Sequence, residues 1–179
     1  MFYLLYNGIT KENVDIAWCD FTRFIVEDGI DIATHLPGGL FAIQEVLTNT
    51  KFYPSILSVC NKLYKKDLLN NIKFPQGYSE DQKFNAEYFL KTEKVSVIDK
   101  ACYFYRIREG SISKPKELNK KDWEAYLNAY DTFISILSQR FSINTLKPQI
   151  ILRVSGVFWR MKNFRTLTSS NKSKQFIWI

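Results

Sequence analysis

Two adjacent carboxylates, Glu80 and Asp81, follow the turn-forming stretch Phe74-Pro75-Gln76-Gly77-Tyr78-Ser79. Ser79 is of a type that caps helices, so the pair falls in the first turn of a helix expected to reach about Lys91. Gln82, three residues after Ser79, completes the pattern of a capping box, and Phe84 and Tyr88 share one face at i, i+4. A carboxylate held in that position can take a proton from a hydroxyl as a general base. Its neighbour raises its proton affinity while the helix N-terminus lowers it. First-turn acids also occur for helix stability alone, and local sequence leaves both readings open.

Arg106 closes the aromatic run Tyr103-Phe104-Tyr105. There it can grip a diphosphate or an acceptor bidentately, or stack on a tyrosine at the surface. Asn61 and Lys62 offer polar atoms to acceptor or donor oxygens, or a polar cap to the short helix that follows. His35, the sole histidine, precedes Leu36-Pro37-Gly38 and reads as a loop residue. Ser55, Ser58 and Cys60 have no credible base beside them, which argues against nucleophilic catalysis. No glycine-rich phosphate loop of either common type occurs. Cys19, Cys60 and Cys102 lack metal-ligand spacing and read as buried, reduced thiols.

Helices and strands alternate around these residues, which argues for an α/β layered domain. Phe2 to Lys11 has helical spacing. Val14 to Cys19 reads as a buried strand, and Asp20 to Val26 alternates at the strand period of two, either continuing it or lying beside it. Pro37-Gly38-Gly39 breaks the chain, and Leu40 to Leu47 is expected as a short helix. Phe52 to Cys60 is apolar without a clear period, and Lys65 to Leu69 suggests one or two helical turns. Val95 to Ile98 and Cys102 to Tyr105 are expected as two strands joined at Asp99-Lys100-Ala101.

Lys114-Pro115-Lys116 marks a change of regime, so the expected division is an α/β portion over 1–113 and a basic helical extension over 114–179. One helix runs from about Lys120 to Arg140, with Trp123, Tyr126, Leu127, Tyr130, Ile134 and Leu137 as its apolar stripe. A second runs from about Pro148 to Phe164, with Ile150, Val154, Val157, Phe158 and Met161 as its apolar face and Arg153, Arg160, Lys162 and Arg165 elsewhere on its surface. Residues 166–175, rich in Ser, Thr, Asn and Lys, are expected to fray.

The chain has 179 residues, 46% hydrophobic and 24% charged, which suits one globular domain with an appendage rather than a disordered chain. Its net charge of +7 is uneven, with 13 basic against 14 acidic side chains up to residue 113 and 12 against 4 beyond it. An excess of that kind favours an anionic partner. No apolar run reaches the length of a membrane span and no signal peptide is apparent, so a cytoplasmic location is expected. The basic helix could instead lie peripherally on the inner face of a membrane. Nucleic acid ranks last among partners because no recognised module accompanies the charge.

Val59-Cys60-Asn61-Lys62-Leu63-Tyr64, Ile72-Lys73-Phe74-Pro75, Gly77, Glu80-Asp81, Tyr103-Phe104-Tyr105-Arg106 and Ser111-Ile112-Ser113 occur in that order. The ordered set resembles the C-terminal half of bacterial family-2 glycosyltransferases, inverting enzymes that build capsular and other surface polysaccharides. The resemblance covers residues 59–113, and Asp15-Ile16 through Phe24 is similar to the segment before them. It implies a partial Rossmann-like nucleotide-sugar transferase sheet with flanking helices, followed by the helical extension. Asp81 would be the catalytic base, and Glu80, Asn61, Lys62 and Arg106 would bind substrate. Many members of that family carry a tryptophan where this chain has Cys60.

The resemblance also implies that the donor-binding half, with its Asp-x-Asp metal motif, is missing from this chain. Asp15 and Asp20 do not match that motif, so no metal ligand is expected here. A divalent Mg or Mn would come with the donor half, as would the nucleotide sugar. The acceptor would be a glycan or a lipid-linked glycan. The chain alone is then expected to be inactive, and the alternative is a non-catalytic glycan-binding or membrane-associated module derived from such an enzyme.

Overall fold

The structure is a computed structural model that describes residues 1–25, 29–33, 35–53, 55–76, 79–107 and 120–167. Val26, Gly77, Tyr78, Ser111 to Ser113 and Lys114 to Lys116 lie outside the described residues. So do the stretch beyond 167 and the side chains of Arg160, Met161, Lys162 and Arg165.

Strand β1 (Ile16–Ile25) is the spine of a mixed sheet. Along one edge it runs parallel to β5 (Lys94–Ile107). Its other edge is shared by two antiparallel strands: β4 (Lys62–Tyr64) pairs Ile16 to Trp18, and β2 (Gly29–Ala33) pairs Thr22 to Ile25. Strand β3 (Gly39–Ala42) lies antiparallel on the far side of β5. Alternation along β1 sends Ile16 and Trp18 into the larger core and Ala17 and Cys19 into a smaller one with Leu5. Helix α1 (Phe2–Glu12) covers the smaller core and ends at Asn13, whose left-handed φ of 46° stops the helix. Gly8 lets α1 lie on the sheet, since a Cβ there would stand 3.0 Å from Ser96 Oγ and 3.3 Å from Ala17 Cβ. The expected α/β sheet with flanking helices is therefore the architecture of this chain.

One stretch with two open readings and one expected strand pair are each a single strand. Val14 to Val26 was open between one bent strand and two, and β1 is continuous. Asp99-Lys100-Ala101 does not interrupt β5, because the parallel register slips there, pairing Cys19 with Ile98 but Asp20 with Ala101, so the extra residues form a bulge. Gly38 makes room for that bulge: a Cβ at Gly38 would come within 2.5 Å of Asp99 Cβ.

Leu40 to Ala42 belong to β3, not to a helix; helix α2 (Ile43–Thr48) begins only at Ile43. The unpaired edge of β5 captures these residues, and Phe41 packs edge-on against Phe52 at 5.2 Å. Glu45 Oε2 then accepts the Ala42 N–H at 2.7 Å, fixing the start of α2. Thr50 to Phe52, Ser55 to Leu57 and Lys66 to Leu69 are short 3₁₀ turns, which accounts for the ambiguous periodicity of the first two.

Helix α3 (Glu80–Phe89), α4 (Lys120–Leu137) and α5 (Ile143–Leu167) complete the chain. The last two pack on the larger core, where Phe133, Leu137, Phe141 and Leu146 are buried with Trp18, Phe52 and Phe89. Each such side chain contributes about 1.5–3 kcal/mol of burial. On α4, Leu127 is exposed and Phe133, outside the expected stripe, is buried. Helix α5 begins before Pro148, with Ser142 Oγ accepting the Thr145 N–H. Its inward face is also rotated from the expected one. Gln149 and Arg153 are buried, whereas Ile151, Val154 and Phe158 face outward.

Candidate functional site

Asp81 and the turn of residues 55–61 form the centre of the site. Asp81 Oδ2 accepts the Val59 N–H at 3.2 Å and remains partly exposed. Burial raises its proton affinity above the ordinary carboxylate range, opposed by the Val59 amide, reinforced by Glu80 and opposed again by Lys62. A carboxylate that keeps some solvent access and holds protons more tightly than usual is suited to proton abstraction. Glu80 is exposed.

The first turn of α3 differs from the expected capping box. Ser79 adopts a left-handed φ of 63°, its side chain caps nothing, and its carbonyl accepts the Gln82 N–H. Gln82 reaches away from the backbone to Arg153 Nη1, at 2.7 Å. A left-handed serine costs on the order of 1–3 kcal/mol, a strain that clusters at functional positions. Phe74 stacks on Phe84 with centroids 4.1 Å apart, pinning the approach to the helix.

Lys62 lies near Asp81, but it and Asn61 turn inward, toward partners other than substrate oxygens. Asn61 is fully buried; its Nδ2 donates to Cys19 O at 2.6 Å and to Ser55 Oγ at 2.8 Å. The Lys62 ammonium donates to Ser55 O at 2.6 Å, to Ser58 O and to Asn61 Oδ1, and sits 4.7 Å from the Trp18 ring centroid. Burial pulls its pKa down to about 7 against the pull of Cys60, Asp81 and Cys19. Both side chains thus fasten the 55–61 turn to β1. Arg106 is exposed on β5 opposite Phe24, and no contact among the described residues joins it to Asp81, Asn61 or Lys62.

Several positioning residues escaped the sequence. Asn85 is fully buried on α3 and donates to the carbonyls of Ile56, Leu57 and Ser58, at 3.3, 2.9 and 3.2 Å, while its Oδ1 accepts from Tyr64 Oη at 2.7 Å. Its signal was a polar residue on an otherwise apolar face between Phe84 and Tyr88. Tyr88 Oη donates to Asp15 O at 2.6 Å and accepts the Lys65 N–H, tying α3 to the start of β1. Arg140 donates to the carbonyls of Leu90 and Thr92 at the C-terminal end of α3, at 3.0 and 2.7 Å, and pairs with Glu93 at 2.6 Å. A cation at that end also suits the helix dipole. Cys60 Sγ lies 3.0 Å from Ser58 Oγ and beside Tyr103, whose hydroxyl pKa is raised first by burial and then by Cys60. Cys60 and Cys102 are half-buried, whereas Cys19 is buried, and all three are free thiols.

Among the described residues, no cluster of three His, Cys, Asp or Glu side chains could hold a metal ion. Asp15 Oδ2 accepts the amides of Glu93 and Lys94, and Asp20 accepts those of Phe21 and Leu36. The described residues therefore do not fit the divalent metal of a donor-binding half.

The chain is similar in sequence to proteins named as glycosyltransferases. The chain is 30% identical over 122 residues to glycosyltransferase GlyA of Streptococcus pneumoniae serotype 4 (strain ATCC BAA-334 / TIGR4), a match covering 62% of this chain and 17% of GlyA. It is 27% identical over 169 residues to glycosyltransferase GlyG of the same strain, covering 82% of this chain and 55% of GlyG. The chain thus spans about half the length of one relative and less than a fifth of the other. The crystal structure of S. aureus TarS 1–349 in complex with UDP-GlcNAc matches with a TM-score of 0.50 and 20% identity, over 75% of this chain and 41% of that one. That likeness shows the fold. No family model matches the chain. The coarse resemblance to glycosyltransferases stands. No helix among the described residues is long and apolar enough to cross a membrane.

Proposed function

We propose that this chain is the acceptor-side portion of an inverting, family-2-like glycosyltransferase, with Asp81 as general base. The observation that carries the reading is Asp81 itself: a carboxylate of raised proton affinity, partly open to solvent, in the first turn of a helix tied along its length to the sheet. The acceptor hydroxyl would lose its proton to Asp81 as its oxygen attacks the anomeric carbon. The nucleoside diphosphate would leave from the opposite face, inverting that centre. Asn61, Lys62 and Asn85 serve as positioning residues, holding the 55–61 turn and its Val59 amide against the carboxylate. Glu80 and Arg106, both exposed, remain available to substrate. The nucleotide sugar and its divalent metal belong to a donor-binding half outside this chain, and the acceptor is a glycan or lipid-linked glycan of surface polysaccharide assembly. The relatives named as glycosyltransferases support the class of reaction.

The test is complementation. A donor-binding half added in trans, or fused ahead of residue 1, should yield acceptor-dependent release of nucleoside diphosphate that neither part gives alone. Glycan binding by the chain with no transfer in any combination would instead identify a binding module. A second reading, peripheral attachment to the inner face of a membrane, is favoured by the outward Ile151, Val154 and Phe158 of α5, exposed by 53%, 47% and 66% in a basic region.

A further inference from the structure

Arg153 has no exposed surface, yet no carboxylate pairs with it among the described residues. Its Nη1 donates to Gln82 Oε1 at 2.7 Å. The rings of Tyr130 and Phe133 lie against the guanidinium with centroids 4.2 and 4.1 Å away, so hydrogen bonds must leave in its plane. Nε and Nη2 have no partner. These are the two nitrogens whose N–H bonds run side by side along one edge of the group, the fork that takes two oxygens of a single oxyanion. The buried Tyr130 hydroxyl, which has Tyr53 beside it, and Gln149 Oε1 one turn earlier on α5 also lack a hydrogen bond of good geometry. An unpaired buried donor costs about 1–3 kcal/mol, which a hydrogen-bonding partner at this edge would offset.

We propose that the free edge of Arg153, with the Tyr130 hydroxyl, binds a phosphoryl oxyanion between α3, α4 and α5. Two phosphoryl oxygens accept from Nε and Nη2, and Tyr130 donates to the same group. Gln149 Oε1 can accept from a protonated phosphoryl oxygen. Gln82, the partner of Arg153, follows Asp81 in the chain, and the proposed transfer reaction offers two phosphoryl sources, the departing diphosphate and a phosphorylated acceptor. The choice of a phosphoryl group over a carboxylate rests on the proposed transfer reaction, whereas the fork itself does not.

The experiment needs no activity. Thermal unfolding of the chain is followed against inorganic phosphate, pyrophosphate, UDP and acetate, at ionic strength fixed with sodium chloride. Phosphate or pyrophosphate should raise the Tm saturably, and Arg153→Met should weaken the apparent affinity on the order of 100-fold. Arg153→Lys, which keeps the charge but lacks the fork, should weaken it at least about tenfold and serves if the methionine variant does not fold. Preference for UDP or pyrophosphate assigns the site to the departing nucleotide, and preference for inorganic phosphate assigns it to a phosphorylated acceptor. No saturable response in the wild type, or an equal one in both variants, overturns the site and leaves water as the occupant. Acetate acting as strongly as phosphate overturns the phosphoryl assignment. Failure of the complementation assay alongside a positive phosphate response would overturn the transfer reading and leave the site standing.

Discussion

Replacing Asn85 by alanine removes the side chain that, together with Asp81, binds the 55–61 turn to α3. Its Nδ2 has two hydrogens to share among the carbonyls of Ile56, Leu57 and Ser58, and its Oδ1 accepts from Tyr64, so three good hydrogen bonds are lost. At about 1 kcal/mol net for each, and more where a carbonyl stays buried without a partner, Asn85→Ala should cost about 3–5 kcal/mol. That is a large share of the roughly 5–15 kcal/mol that holds a domain folded. Urea unfolding measures the loss, and hydrogen exchange locates it: the amide of Val59, which donates to Asp81, should lose protection ahead of the β1 amides. Tyr64→Phe removes one bond and should cost about 1 kcal/mol. A loss below about 1 kcal/mol for Asn85→Ala, or unchanged Val59 protection, would refute the idea that this residue fixes the turn on the base.

Other expectations follow from the same contacts. Because the folded protein raises the proton affinity of Asp81, the ionised carboxylate weakens the fold as pH rises above the ordinary carboxylate range. Asp81→Asn should therefore be more stable than wild type at neutral pH in urea titrations, with the gain vanishing below about pH 4. Nitrogen-detected NMR of Lys62 Nζ should give a midpoint near 7, far below an ordinary lysine. Arg140→Ala frees the carbonyls of Leu90 and Thr92 just beyond α3 and should cost about 1–2 kcal/mol in thermal unfolding. Anionic liposomes should float the chain with them, and Phe158→Ser with Val154→Ser should reduce the floated fraction several-fold.

Much of the α/β order was legible because it rests on local pattern. Asp20 to Ile25 is a strand and the stretch after Asp81 a helix, as their local patterns imply. What failed depended on partners distant in sequence. Leu40 and Phe41 look helical by spacing, but the open edge of β5 makes them a strand. Asp99-Lys100-Ala101 reads as a turn, whereas pairing with β1 absorbs it as a bulge. Ser79 and Gln82 match a capping box, yet Gln82 is drawn off by Arg153, which lies 71 residues away in the chain. Arg153 itself read as a surface charge, because a charged residue on an amphipathic helix is nearly always solvated. At the candidate site, residue type and position singled out the carboxylate pair. Asn85, Tyr88 and Arg140 did not, since a polar side chain bonded to backbone carbonyls has no sequence signature beyond being out of place on its face.

The most direct test of Asp81 as base is the rate of acceptor-dependent nucleoside diphosphate release by this chain joined to a donor-binding half. Asp81→Asn should lower kcat by about 10²–10⁴-fold, with the donor KM changed only a few-fold. In the active pair, kcat/KM should fall on the acid side with a midpoint above the ordinary carboxylate range. An Asp81→Asn enzyme that retains a tenth or more of wild-type kcat, or an acid limb untouched by that substitution, would contradict the assignment.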